Sequence, residues 1–254
     1  IYPWFINYIQ KKRIEQIIRT DGPQAHLDTK VGTPTIGAVT MILSITVSTL
    51  VWARLDQFVV WMALAVLVGY GMLGFVADCK KVTQQSTDGL AGRWKLLGQF
   101  VIGGGVLGYG YLTGAITPEL SLPFLKNTVI DFSTFGVGAL AWGYVLFGMF
   151  VLTGTSNAVN LTDGLDGLAI GPVMTSGLTF AILAYIAGNT KFSGYLSVPY
   201  VPGAGELAIF SVAIVGAART GGTPMPFFLG QGNCLYVTGP YLLLFGPKAS
   251  TSGI

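Results

Sequence analysis

Long apolar runs, separated by short polar segments, organise most of this chain. Such runs predict helices that cross a bilayer. The main runs are 36–53, 58–77, 96–117, 135–153, 167–188 and 205–218. A further run, 224–247, is interrupted by Pro and Gly and is a weaker candidate. The pattern predicts an all-α fold, a polytopic transmembrane helical bundle with about six or seven spans in this chain.

The composition supports the membrane class. The chain of 254 residues is 52% hydrophobic and 10% charged, whereas soluble domains carry about 25% charged residues. Its net charge of +3 is small. We therefore expect membrane lipid around the bundle and no nucleic-acid partner.

The placement of the cations predicts the orientation of the bundle. If the residues before the first run are cytoplasmic, Lys and Arg concentrate on that side, as the positive-inside rule requires. The cytoplasmic set is Lys11, Lys12, Arg13, Arg19, Lys30, Lys80, Lys81, Arg93, Lys95 and Arg219. The opposite set is Arg54, Lys126 and Lys191. We expect a multi-pass membrane protein with its polar site facing the cytoplasm.

Residues 1–254 are predicted to form a single integral-membrane domain. Within it, 1–34 is a polar, basic cytoplasmic segment, and 78–95 and 154–166 are predicted cytoplasmic active-site loops. After Arg219 the hydrophobic pattern blurs and no acidic residue follows. The tail 219–254 therefore has no reliable helical register. The chain starts in what resembles the tail of an earlier helix, and we expect a longer protein.

Four polar residues recur every third position between two apolar runs: Asn157, Asn160, Asp163 and Asp166. Residues at this spacing are neighbours on a helix surface. Carboxylates and amides are costly in lipid and usually face a cavity, a partner or a metal. Mg²⁺ takes one or two carboxylates plus phosphate oxygens. The alternative is a polar helix N-terminus, but capping accounts for one of these residues and not for four.

Ordinary structural roles are open to the other polar residues of the predicted cytoplasmic side. Asp78 lies beside Lys80 and Lys81. It either faces the same site as the four polar residues just described, or it pairs with a lysine that anchors the helix at the membrane surface. Arg93, Trp94 and Lys95 fit an interfacial anchor, and the Gly-Thr-Pro-Thr segment at 32–35 fits a helix start. Together, carboxylates, amides and lysines at the membrane surface suit metal-assisted phosphoryl transfer. A transporter is the alternative class.

The segment 157–169, Asn-Ala-Val-Asn-Leu-Thr-Asp-Gly-Leu-Asp-Gly-Leu-Ala, resembles the signature of the polyprenyl-phosphate sugar-1-phosphate transferases. More narrowly, the chain resembles the bacterial phospho-MurNAc-pentapeptide transferases (translocase I) from about residue 15 to 218. Four further stretches carry this narrower likeness: 19–23, 32–35, 92–95 and 203–207. The resemblance implies an all-helical family fold of about ten spans.

The resemblance also implies an activity. Phospho-MurNAc-pentapeptide would pass from its UDP carrier to undecaprenyl phosphate, giving lipid I and UMP in peptidoglycan synthesis, with Mg²⁺ as cofactor. The implied partners are UDP-MurNAc-pentapeptide, undecaprenyl phosphate, a second copy of the chain in a homodimer, and other cell-wall synthesis proteins. The alternatives are a polyprenyl-phosphate GlcNAc-1-phosphate transferase and a non-catalytic membrane scaffold.

The family motifs map onto named positions of this chain. The implied catalytic residues are Asp78, Asp163 and Asp166. The implied metal ligands are Asp166 and Asp163. The implied substrate-binding residues are Lys30, Thr35, Lys81, Lys95, Asn157, Asn160 and Gly164.

Two departures from the family pattern bear on the activity. Ala77 stands where the family has the first Asp of an Asp-Asp pair, and no Asp follows Asp166 where the family has a third acid. Either the chain is an incomplete or imperfectly registered sequence of an active enzyme, which we favour, or it is a divergent, inactive relative.

Overall fold

The computed structural model describes residues 38–84, 90–116, 118–121, 129–132, 141–162 and 170–221. These residues form helices and one short hairpin. In chain order the elements are α1 (Ala38–Trp52), α2 (Phe58–Gln84), α3 (Gly92–Leu112), β1 (Glu119–Ser121), β2 (Val129–Asp131), α4 (Ala141–Thr162), α5 (Ile170–Ala187), α6 (Thr190–Leu196) and α7 (Glu206–Gly221). The predicted run 224–247 lies outside the described residues.

Each predicted run within the described residues coincides with a helix, which confirms the helical architecture. Several helices pass the predicted bounds. α2 continues to Gln84 and α4 to Thr162. The extension of α2 contains no Gly or Pro, and that of α4 contains the single residue Gly154, which a helix tolerates at a cost of about 1 kcal/mol. Much of 78–95 and 154–166, predicted as loops, is therefore helical.

Between α3 and α4 the described residues contain two short strands. β1 and β2 pair antiparallel, with Glu119 opposite Asp131 and Ser121 opposite Val129. Three residues per strand are too few for alternation of apolar and polar positions to reveal a strand. The described residues thus confirm the helical fold class, and the hairpin is a short addition between α3 and α4.

The helices pack in a defined order of neighbours. α3 lies between α2 and α4, α2 also contacts α1 and α7, and α7 packs most extensively against α5. The core contains fully buried side chains from several helices, including Ile45, Leu67, Leu107, Leu152 and Phe210. These side chains belong to one cluster, to which α1, α2, α3, α4 and α7 contribute.

The chain turns sharply after α5. α6 lies at 101° to the preceding helix, and the Asn189 side chain caps it by accepting hydrogen bonds from the backbone nitrogens of Lys191 and Phe192. Ser197 ends the helix in the left-handed region, with φ of 55°. The capping therefore fixes both ends of this short element.

Within the described residues, one helical segment is long and apolar enough to cross a membrane, Phe58–Ala77 in α2. The bent pair formed by α5 and α6 would make a second if it counts as one span. The segment Phe58–Ala77 has 20 residues, which corresponds to about 30 Å at 1.5 Å per residue.

Candidate functional site

Three helix ends meet at one end of the bundle. α2 and α3 are consecutive packed neighbours, and so are α3 and α4. Because each pair runs antiparallel, the end of α2, the start of α3 and the end of α4 come together. The predicted motifs around Asp78, Lys95 and Asn157 therefore share one end, although they lie far apart in sequence.

The charged residues separate between the two ends as the sequence predicts. Lys80, Arg93 and Lys95 belong to the end just described. Arg54 lies at the opposite end, where its backbone N–H donates to Glu206 Oε2 at 2.9 Å. A side-chain hydrogen bond from Arg54 lowers the pKa of the exposed Asp56 carboxyl there.

A buried polar network lies just inside the site end. Gln99 of α3 is 2% exposed and connects three helices. Its Oε1 accepts a hydrogen bond from Asn157 Nδ2 at 2.7 Å. Its Nε2 donates to Ser156 Oγ at 3.2 Å, and its backbone carbonyl accepts from the Tyr70 hydroxyl of α2 at 3.1 Å. The network fixes the depth of the three helices relative to one another.

The network also fixes the orientation of both side-chain amides. Asn157 Nδ2 donates a second hydrogen bond, at 2.8 Å, to the backbone carbonyl of Thr153. A carbonyl oxygen can only accept, so the nitrogen of Asn157 must face it. Gln99 must then present its oxygen to Asn157 and its nitrogen to Ser156. Both amide hydrogens of Asn157 are therefore used within the protein.

A glycine makes room for this arrangement. A Cβ atom on Gly103, one turn after Gln99, would lie 3.2 Å from the Tyr70 hydroxyl and 3.4 Å from Leu152. These are contacts with α2 and α4. The absence of a side chain at Gly103 lets both neighbours approach α3 at the level of the network.

Some predicted site residues belong to the described helices. Asn157 and Asn160 are half-buried near the end of α4, three residues apart and on adjacent positions of one face. Lys95 is half-buried in the first turn of α3, four residues before Gln99. The backbones of Asp78 and Lys81 lie in the last turns of α2. The structure thus brings the predicted polar positions of α2, α3 and α4 to one end.

The other predicted site residues fall outside the described part of the chain. They are Lys30, Thr35, Asp163, Gly164 and Asp166. In the described part, no group of three or more His, Cys, Asp or Glu side chains is arranged to hold a metal ion. The predictions on Asp163 and Asp166 therefore stay predictions.

The sequence reasoning missed Tyr70, Gln99 and Ser156. A usable signal existed for Gln99, which stands alone as a polar side chain within the apolar run of α3. A buried polar residue in such a run needs a partner. What the sequence did not contain was the identity of that partner, 58 residues away on α4.

The comparisons with known proteins agree with these motifs. The sequence profile of glycosyl transferase family 4 matches residues 60–229. That range includes α2 to α7 almost entirely. It therefore covers all three helices whose ends form the site.

Curated relatives share nearly half of their aligned residues with this chain. The phospho-N-acetylmuramoyl-pentapeptide-transferases of Citrifermentans bemidjiense and Geobacter sp. (strain M21) are each 46% identical over 215 residues, which is 85% of this chain and 58% of theirs. That of Syntrophus aciditrophicus is 45% identical over 85% of this chain and 57% of its own. The chain thus spans a little over half the length of these relatives.

Proposed function

Because the chain belongs to glycosyl transferase family 4, we propose that it takes part in a membrane phosphosugar transfer. The donor is UDP-MurNAc-pentapeptide, the acceptor is undecaprenyl phosphate, and the products are lipid I and UMP. The name of the relatives at 44–46% identity supports this choice of substrates. The observation that carries the proposal is the meeting of three helix ends that bear the Asn157 motif, Lys95 and Asp78.

We propose a multi-pass location in the bacterial inner membrane, with the site on the cytoplasmic side. The exterior of the helices supports it. Exposed apolar side chains follow the outward face of α1 at four-residue spacing, at Leu43, Val47 and Val51. α4 also exposes apolar side chains, at Leu146, Phe147 and Phe150. Soluble monomers rarely expose contiguous apolar surface of this extent, so lipid is the natural solvent for these faces.

The reaction needs a cation and positioning more than acid–base chemistry. The donor set fits Mg²⁺, because Asp163 and Asp166 supply carboxylate oxygens and this ion prefers hard oxygen ligands. When bound, Mg²⁺ would neutralise charge on the pyrophosphate. Lys30, Lys81 and Lys95 would attract the same phosphates from solution.

The bond changes follow from the substrates. An oxygen of the lipid phosphate attacks the phosphorus attached to the sugar, and the bond from that phosphorus to the bridging oxygen breaks. UMP leaves with the bridging oxygen. A phosphomonoester has its second pKa near about 6 and is mostly ionised at neutral pH. Asp78 would accept the proton from the remaining protonated fraction.

A non-catalytic scaffold is the second candidate, and one observation favours it. Ala77, which stands where the family resemblance places the first acid of a pair, is buried. A buried methyl group at this position offers no carboxylate for catalysis. Both candidate functions are compatible with a homodimer and with contacts to other cell-wall synthesis proteins.

The test is Mg²⁺-dependent release of UMP by the purified protein in detergent. UDP-MurNAc-pentapeptide and undecaprenyl phosphate are supplied together, and UDP-GlcNAc replaces the muramyl substrate in a parallel reaction. Release with the muramyl substrate alone supports the proposed transfer. Release with UDP-GlcNAc alone indicates the related GlcNAc-1-phosphate activity. Folded protein that releases UMP from neither substrate would support the scaffold.

A further inference from the structure

We propose that Gln99 is a positioning residue that orients Asn157 to present its Oδ1 atom to the nucleotide-sugar donor. This inference rests on the proposed function, because it assigns a role within that site. Gln99 lies inside the bundle, 2% exposed, and its side chain acts on the site through Asn157.

The hydrogen bonds of the Asn157 side chain leave one of its atoms, Oδ1, for a ligand. Its two amide hydrogens are donated to Gln99 Oε1 and to the Thr153 carbonyl. Its Oδ1 has no hydrogen-bond partner within the described part of the chain. Asn157 can therefore serve a ligand only as an acceptor.

The acceptor character selects between the two substrates. An ionised lipid phosphate offers oxygen atoms that only accept, and its polyprenyl tail is apolar. A uridine nucleotide linked to a sugar carries N–H and O–H donors. An amide oxygen held at this site therefore matches the nucleotide-sugar and has nothing to accept from the lipid substrate.

Gln99 is needed because the Thr153 carbonyl by itself holds only one of the two amide hydrogens of Asn157. Without Gln99, one amide hydrogen of a half-buried side chain would lack its partner, at a free-energy cost that favours another rotamer. Ser156 holds the Gln99 amide from the other side. The tertiary contact between α3 and α4 thus helps determine which atom of Asn157 has no hydrogen-bond partner within the described residues.

The hydrogen bond between Gln99 and Asn157 lies next to predicted site residues on both helices. Gln99 follows Lys95 by four residues on α3, and Asn160 follows Asn157 by three on α4. These separations correspond to about 6 Å and about 4.5 Å along the helix axes. This hydrogen bond lies roughly one helical turn deeper in the bundle than the residues expected to meet the phosphates.

The experiment compares Gln99→Met, which keeps the volume and removes the amide, with Gln99→Glu, which keeps an acceptor for Asn157. UMP affinity is measured by calorimetry in EDTA and again with Mg²⁺, and KM is measured for both substrates. For Gln99→Met we expect about a ten-fold weaker UMP affinity in both solutions and a similar rise in KM for the nucleotide-sugar. The KM for undecaprenyl phosphate should not change, and Gln99→Glu should recover part of the loss.

A double-variant comparison separates positioning from general stability. Gln99→Met added to Asn157→Ala should weaken UMP binding no further, because the side chain through which Gln99 acts is already gone. Thr49→Val, a buried polar-to-apolar change on α1, serves as the matched control with unchanged UMP affinity. Thermal unfolding in detergent is recorded for every variant.

Each alternative result overturns the inference in a recognisable way. Equal UMP affinity in Gln99→Met and the unchanged protein would remove the positioning role while leaving the transferase intact. A loss seen only with Mg²⁺ would assign the oxygen to the metal, and additive losses in the double variant would leave only a structural role. If the unchanged protein neither binds UMP nor releases it, the proposed function fails and this inference fails with it.

Discussion

Gly188 packs its backbone directly against the backbone of Gly205. A Cβ atom on Gly188 would lie 2.7 Å from the Gly205 Cα and closer still to its nitrogen. The contact joins the end of α5 to the start of α7, the two helices that pack most extensively. The close approach therefore depends on the absence of a side chain at one specified position.

Replacement of Gly188 by Ala should destabilise the protein by about 1–3 kcal/mol, because backbone atoms must move to admit the methyl group. Gly205→Ala is the matched control, since a Cβ there meets no atom within 4 Å. Thermal unfolding in detergent measures both variants. A Gly188→Ala protein as stable as Gly205→Ala would contradict the close packing.

Glu206 should stabilise the turn between α1 and α2 through the backbone of Arg54. Its carboxylate accepts from the Arg54 N–H at 2.9 Å. Glu206→Ala is expected to cost about 1 kcal/mol of stability, whereas Glu206→Gln, which keeps an acceptor, should cost less.

Arg54→Ala distinguishes the backbone from the side chain in the same contact. It keeps the backbone donor and removes only an exposed ion pair with Asp56, which has an N–O distance of 2.8 Å. Such pairs contribute little, so the melting temperature should stay near that of the unchanged protein. A larger loss in Arg54→Ala than in Glu206→Ala would contradict the assignment.

Thr49→Val should raise the melting temperature. Thr49 is 0% exposed, and within the described residues its hydroxyl has no hydrogen-bond partner. Replacing an unpartnered buried hydroxyl by a methyl group of similar size removes a desolvation cost of about 1 kcal/mol or more. Thr155→Val is the control, because that hydroxyl donates to the Val151 carbonyl at 2.6 Å. A lower melting temperature in Thr49→Val would show that its hydroxyl has a partner after all.

Asp166→Asn should abolish UMP release while leaving the protein folded. The change keeps the shape of the side chain and removes the negative charge that a hard cation requires. Asp56→Asn makes the same chemical change at the opposite end of the bundle and should leave turnover unchanged. Near-normal turnover in Asp166→Asn would remove this residue from the proposed metal site.

The sequence alone determined the helices and the polar positions near the end of α4. Apolar runs of 14 to 22 residues can bury their backbone polar groups only as helices, so α1 to α5 and α7 were predictable. The spacing of Asn157 and Asn160 was likewise a local property, because a helix places residues three apart on one face. Where local signals were short, as in β1, β2 and α6, the sequence was not informative.

Only the tertiary structure decided which helices meet and which atom of Asn157 is left for a ligand. Gln99 and Asn157 are 58 residues apart. The hydrophobic periodicity of α3 and of α4 does not predict that these two residues meet. The approach of α3 to its neighbours at Gly103, and of α5 to α7 at Gly188, is set by packing in three dimensions. Hydrogen bonds between α3 and α4 then fix the amide orientations of Gln99 and Asn157, since a buried donor without an acceptor is costly.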